Sequence, residues 1–269
     1  MKLQSTRVPR FFKIWLPFKT AIASLKERIL GAVKCGCHNK RSMFRKKLPR
    51  FYELKGVVPD PASPDCFFAD FEKRFQSSHV LEVFVRWEKQ FQGLDDGAWL
   101  SLREEVAPYL ARKDSHRAYQ QIFDILSQAL AYNHLRSLGC SNVRFIPRSP
   151  EKKTPDLEGL LASGRMLCEV KTYNISKQET HARQLKNAPR KVSSRLDAKF
   201  FGKLDSLIER AKNQLIAYDP KGEARHLLYI NVLFDDWLEV YRADYCLQID
   251  QHLQQHPPGI EVVFAPPGY

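Results

Sequence analysis

The chain has 269 residues, enough to bury a full core in one large domain or two small ones. It carries 43 Lys and Arg against 30 Asp and Glu, a net charge of +13, with 43% hydrophobic residues, the composition of a soluble globular protein. No apolar run approaches the length that spans a bilayer, which argues against a helical transmembrane protein.

The charge is uneven. Residues 1–50 hold fourteen Lys or Arg and one acid, Glu27, while the remaining residues hold twenty-nine of each sign. A basic N-terminal arm of this kind attracts nucleic acid or an anionic membrane surface through counterion release. A solvated tail or an organelle-targeting segment has the same composition, and these readings stay open. Phe11, Phe12, Ile14, Trp15, Leu16 and Phe18 interleave with Arg10, Lys13 and Lys19, a pattern suited to base stacking or a lipid interface. Lys13 breaks what would otherwise read as a secretory signal. Ile22, Leu25, Ile29 and Val33 then recur at helical spacing. Cys35-Gly36-Cys37-His38 lacks a second Cys/His pair at finger spacing, so no zinc is assigned to it. The six cysteines are scattered, which points to reduced thiols and a cytoplasmic, intracellular setting.

Residues 51–65 are rich in proline (Pro59, Pro61, Pro64) and read as a linker or loop. Helices are expected over Cys66 to Gln76, Val80 to Phe91 and Ala98 to Val106. The last follows the turn and cap signal Asp95-Asp96-Gly97 and stops before Pro108. Trp87, Phe91, Trp99 and Tyr109 are expected core aromatics. Residues 51–112 thus form a helical extension between the arm and the rest of the chain.

From residue 113 the pattern changes. Asp114 or Ser115 is placed to cap one long helix running to Leu138 and ended by Gly139. Asn142 to Pro147 (NVRFIP) reads as a short strand, and Arg148 to Lys153 as a polar loop. Two apolar runs follow, Asp156 to Ala162 and Met166 to Val170, separated by Ser163-Gly164-Arg165 as a hairpin break. Strand alternation sends Cys168 and Val170 into the core and Glu169 and Lys171 to the other face. If the hairpin pairs as its turn implies, Asp156 lies close to Glu169, and two carboxylates share one end of a sheet with an ammonium. That cluster is costly unless something binds there, and a hard cation such as Mg²⁺, which prefers oxygen ligands, is the natural occupant.

Lys177 to Lys203 carries eight Lys or Arg and two acids, and is placed to hold a phosphate backbone. A helix is expected from Lys203 to Tyr218, with Arg210, Gln214 and Tyr218 in one polar stripe at i, i+4, i+8. Arg225 to Phe234 reads as a central strand ended by Asp235-Asp236, Trp237 to His256 as a helix, and Ile260 to Phe264 as a last strand. His252 and His256 form an H-x-x-x-H pair, but Leu253 stands where a metalloprotease would have its Glu, so no metal is assigned. Neither a P-loop nor a G-x-S-x-G turn occurs, so kinase, ATPase and serine hydrolase readings lack their chemistry.

Pro155-Asp156, twelve intervening residues, then Glu169-Val170-Lys171 resembles the PD-(D/E)xK nuclease superfamily. The resemblance implies an α/β, restriction-endonuclease-like fold over residues 113–269, a mixed central sheet flanked by helices, with the helical extension before it. It implies Asp156 and Glu169 as Mg²⁺ ligands (Mn²⁺ as a substitute), the Val170 carbonyl as a further ligand, and Lys171 as the catalytic lysine. Many members add an acidic or amide residue from the first helix, for which Asp124 and Gln128 are the candidates here. Gln214 to Tyr218 is similar to the Q-x-x-x-Y element of a subset of the superfamily, which implies substrate positioning by Gln214 and Tyr218, with Arg210 on the same stripe. The implied activity is metal-dependent phosphodiester hydrolysis, with DNA expected over RNA and homo-oligomerisation left open. Two other classes compete with it: a nucleic-acid-binding protein on an inactive nuclease fold, and an anionic-surface or partner-binding module.

Overall fold

In the computed structural model the described residues are 37–114, 118–173, 193–232 and 241–265, with side chains described from residue 42. They form an α/β structure around a five-stranded mixed sheet in the order β1-β2-β3-β4-β5. The strands are β1 (Ser141–Phe145), β2 (Leu157–Leu161), β3 (Gly164–Tyr173), β4 (Arg225–Val232) and β5 (Glu261–Phe264). β1, β2 and β3 are antiparallel neighbours, whereas β3, β4 and β5 run parallel. Parallel strands need crossovers, and these are helices: α8 (Ala198–Tyr218) lies between β3 and β4, and α9 (Arg242–Gln255) between β4 and β5.

Each strand of the sheet's centre feeds two cores. Met166, Cys168 and Val170 of β3 and Leu227 and Tyr229 of β4 pack into one cluster. Leu228 and Ile230 pack on the opposite face against Leu204, Leu207, Ile208 and Ala211 of α8 and Ile249 of α9. The first cluster is continuous with the helices that precede the sheet: α1 (Cys37–Lys47), α2 (Pro49–Gly56), α3 (Phe71–Arg74), α4 (Ser78–Gln92), α5 (Asp96–Leu110), α6 (Gln120–Leu126) and α7 (Gln128–Ser137). Leu48, Phe51 and Leu54 are fully buried in the same core as Leu157 and Met166, so the packing runs unbroken across residue 112. Much of it is aromatic and edge-on, as in Phe71–Phe75 (4.7 Å, 74°) and Phe51–Phe84 (4.8 Å, 60°), an arrangement favoured by the ring quadrupoles.

Helix starts follow local chemistry. Asp95 caps α5 by accepting from Ala98 N at 2.8 Å, and Asp197 caps α8 by accepting from Phe200 N at 2.8 Å. α2 has Leu48 at its N-cap, which offers no acceptor, and Glu88 of α4 takes over that role from outside the helix. Its carboxylate accepts from Arg50 N (2.9 Å) and Phe51 N (3.1 Å). Glu88 is only 1% exposed, and burial, partly offset by these two amides, raises its pKa.

Several expectations require correction. The segment expected as a linker from Phe51 is helical to Gly56, because Phe51 and Leu54 have a core to enter. The helix expected over Cys66 to Gln76 contracts to α3, with turns around it and Asp70 at φ +52°, and this lets Phe67, Phe68, Phe71 and Phe75 all point inward. α5 continues past Pro108 to Leu110, which is fully buried and whose carbonyl accepts from Phe67 N. Asp114 pairs with Ala118 instead of capping a helix, and Ser115 lies outside the described residues. The long helix expected to Leu138 is divided into α6 and α7 at Ser127. Ser127 Oγ donates to Phe123 O (2.7 Å) and accepts from Asn231 Nδ2 (2.9 Å), a back-bonded serine anchored by the sheet. The hairpin turn is Ala162-Ser163, one residue earlier than expected, because Arg165 is already paired opposite Leu160. α8 begins at Ala198 rather than Lys203. The expected helix over Ile22 to Val33, Asp235-Asp236 and most of the basic Lys177 to Lys203 segment lie outside the described residues. Among the described residues no helix is long and apolar enough to cross a membrane, and Cys66, Cys140 and Cys168 are buried thiols.

Replacing Glu88 with Ala removes both acceptors at the start of α2 and is expected to destabilise the protein by about 1–3 kcal/mol in urea unfolding, whereas Glu88→Gln, which keeps one acceptor, loses less.

Candidate active site

The β2–β3 hairpin builds the site through its register. Leu157 pairs with Cys168 at the end of the ladder, and Asp156 departs from that register by turning its own N–H to the same Cys168 carbonyl, which brings it beside the β3 residues that follow, Glu169 and Val170. Asp156 is tied down by its own backbone: its N–H donates to Cys168 O (3.1 Å) and its carbonyl accepts from Ile146 N (2.9 Å). Its carboxylate Oδ2 then accepts from Val170 N at 2.7 Å. Within a strand the N–H and C=O of one residue lie along the same edge, so the Val170 carbonyl is directed to the Asp156 side of β3.

Glu169 is buried at 1% exposure on the face covered by α8. Its Oε1 is ion-paired with the Lys171 ammonium two residues along the same strand face, and its Oε2 accepts from Gln214 Nε2 of α8 at 2.8 Å. Gln214 Nε2 also donates to Thr154 O at 2.7 Å, joining α8 to the loop that leads into Asp156. The Lys171 side chain keeps 33% of its surface and closes the cluster on the solvent side.

The electrostatics are those of a site short of positive charge. Burial pushes the Glu169 pKa up to about 8, and the nearby Asp156 adds to this, while Lys171 and Gln214 oppose it. Asp156 is raised in the same direction by burial, against the Lys171 charge and the Val170 amide. Two carboxylates held together at these pKa values favour a shared proton or a cation. Among the described residues no three or more His, Cys, Asp or Glu side chains gather as metal ligands; the oxygen donors the hairpin offers are the Asp156 and Glu169 carboxylates and the Val170 carbonyl. A small hard set of that kind fits Mg²⁺, which completes its shell with water and substrate oxygens.

The other expected site residues divide. Gln214 joins the cluster directly, whereas Tyr218, the last residue of α8, is half-buried with Lys152 Nζ 5.0 Å and Arg165 Cζ 5.8 Å from its ring centre and meets those two cations rather than the carboxylates. Arg210 does not join: it is exposed and donates from Nε to Ser206 O of its own helix at 3.0 Å. Gln128 is buried on α7 and reaches Glu105 Oε1 (3.3 Å) rather than either carboxylate, and Asp124 lies half-buried on α6. His252 pairs with Asp205 at 2.7 Å and packs on His256, away from any ligand cluster.

Four charged groups were not anticipated as neighbours of the expected site residues. Glu105 of α5 is ion-paired with Arg148, and the charges of both reach Asp156. Lys152 and Arg165 approach Tyr218. The available signal was the run Arg148 to Lys153 directly before Pro155-Asp156, which carries three cations in a short loop. Nothing local marks Glu105, which is brought in by packing. Comparison of the chain with protein-family models, with curated proteins and with solved structures returned no match.

The raised carboxylate has a thermodynamic consequence in the metal-free protein. Between the ordinary value of 4.5 and about 8, folded Glu169 holds a proton that the unfolded chain has released, so protonation favours folding. Stability is therefore expected to decline as pH rises through that window, and Glu169→Gln is expected to flatten the decline in thermal melts run in chelator.

Proposed function

We propose that the chain is a Mg²⁺-dependent nuclease with a restriction-endonuclease-like core, hydrolysing phosphodiester bonds in DNA. The observation that carries this reading is the meeting of Asp156, Glu169 and Lys171 at one sheet end, with Gln214 bonded to the same Glu169 carboxylate. Mixed strand order and helices on both faces are consistent with that core.

Asp156, Glu169 and the Val170 carbonyl would hold the cation. When bound, it supplies charge neutralisation at a phosphoryl group and lowers the pKa of water. Lys171 is the only one of the four whose polar head is both cationic and partly exposed, so it is suited to contact an anionic reacting centre. Its ion pair with Glu169 keeps the ammonium at the mouth until substrate arrives. Gln214 acts as a positioning residue: one amide fixes both the Glu169 carboxylate and the Thr154 carbonyl, and so sets the distance between the two acidic strands.

Cleavage of linear, circular and single-stranded DNA is expected with Mg²⁺ or Mn²⁺. Asp156→Ala, Glu169→Ala and Lys171→Ala are each expected to lower the rate by on the order of 10²–10³. Gln214→Ala is expected to cost roughly 10–100-fold, with part of the loss recovered at high Mg²⁺. Absence of cleavage with either metal, or full activity in the three triad variants, overturns the reading.

A further inference from the structure

The loop between β1 and β2 is short, closed and cationic on two sides. Thr154 Oγ1 donates to Pro147 O (3.4 Å) and Glu151 N donates to Ser149 Oγ (3.2 Å), so the loop is held by its own bonds. Its base is fixed by the Ile146–Asp156 backbone bond and by the Gln214 amide on Thr154 O. Arg148 leaves it toward α5, where Glu105 holds the guanidinium while two-thirds of the side chain (66%) stays exposed. Lys152 leaves it toward α8, with its ammonium over the Tyr218 ring. Lys153, between Lys152 and the site, is also exposed.

We infer that this loop is a phosphate grip: Arg148 and Lys152, on opposite flanks of Asp156, bind backbone phosphates of a nucleic acid strand, and Glu105 positions Arg148 for that contact. The inference rests on the nuclease reading for what happens between the two cations, but the grip itself is a binding device. A planar guanidinium paired on one edge keeps its remaining donors directed outward, in the fork geometry that suits a phosphate. Lys152 over the Tyr218 ring is a point charge held beside the loop, with Arg165 near the same ring. Neither contact reads sequence, so the surface fits a polynucleotide backbone rather than a particular site. It also assigns a task to α5: the helices before the sheet deliver the carboxylate that aims Arg148.

The test measures binding of a fluorescent single-stranded DNA 20-mer by the full chain in Ca²⁺ or chelator, as a function of salt. Arg148→Gln, which can still donate to Glu105, and Lys152→Ala are compared with Lys73→Ala, an exposed lysine on α3 paired with Asp70. Each grip variant is expected to weaken binding roughly three- to tenfold and to reduce the slope of log K against log salt by about 0.7, with Lys73→Ala at wild-type values. Glu105→Ala, checked for folding by its melting curve, raises the net charge by one yet is expected to weaken binding. Wild-type affinity and slope in both grip variants, or an equal loss in Lys73→Ala, overturns the grip, and tighter binding by Glu105→Ala overturns the positioning role. Cleavage of the same oligonucleotide in Mg²⁺ is scored separately, so a chain that binds through the loop but does not cut refutes the nuclease reading alone.

Discussion

Asp156 is the residue through which strand pairing becomes chemistry. Its backbone completes the ladder on both sides, to Ile146 of the β1 segment and to Cys168 of β3, and its carboxylate then accepts the Val170 amide. A side chain fixed at backbone and carboxylate alike loses little freedom when it takes on a ligand, which is the condition for a preorganised site. Glu169 is the next residue of β3 after Cys168, and strand alternation puts Lys171 on the same face as Glu169. The arrangement therefore depends on one register: a slip of one residue would carry Glu169 and Lys171 into the aromatic core and bring Cys168 and Val170 out.

The sheet supports this by being buried on two sides with different materials. The face that receives Cys168 and Val170 is covered by the helices that come first in the chain, and the face with Glu169 by α8. On that second face Glu158 of β2, its side chain mostly buried, pairs with both Arg144 (2.5 Å) and Arg165 (2.7 Å). Near the end of α8, Gln214 reaches Glu169 and Tyr218 lies near Arg165. The amide of Gln214 is thus the point at which helix packing sets carboxylate geometry.

Much of this was legible in the residues themselves. The hairpin, the alternation that separates Glu169 from Cys168, the apolar β4 and the stripe on α8 all follow from short-range period and turn chemistry. The register of that hairpin was not legible: the turn lies at Ala162-Ser163, and Asp156 bonds to Cys168 O outside the regular ladder. What could not be read depends on distant packing. Phe51 and Leu54 look like the start of a Pro-rich linker until Phe71, Phe84 and Phe91 are there to receive them. Glu88 looks like one more polar position on α4, yet it caps a helix thirty-seven residues earlier in the chain. Glu105 is likewise invisible until α5 is laid beside the β1–β2 loop. Arg210 misled in the other direction: periodicity places it in line with Gln214, but a long exposed side chain is free to fold back on its own carbonyls.

The unbroken core has a bearing on how the protein can be divided. Leu157, Met166, Cys168, Val170, Leu227 and Tyr229 share one apolar cluster with α6 and α7, and that cluster continues into helices that precede residue 112. A fragment that began after residue 112 would keep α7 against the sheet but expose to water the apolar sides of α6 and α7 that meet α5 and α4, the kind of patch that drives self-association. The minimal autonomous unit is therefore set by where a hydrophobic face finds its lid rather than by where the chemical motif begins, and shortening from the front would strip the lid long before it reached the motif.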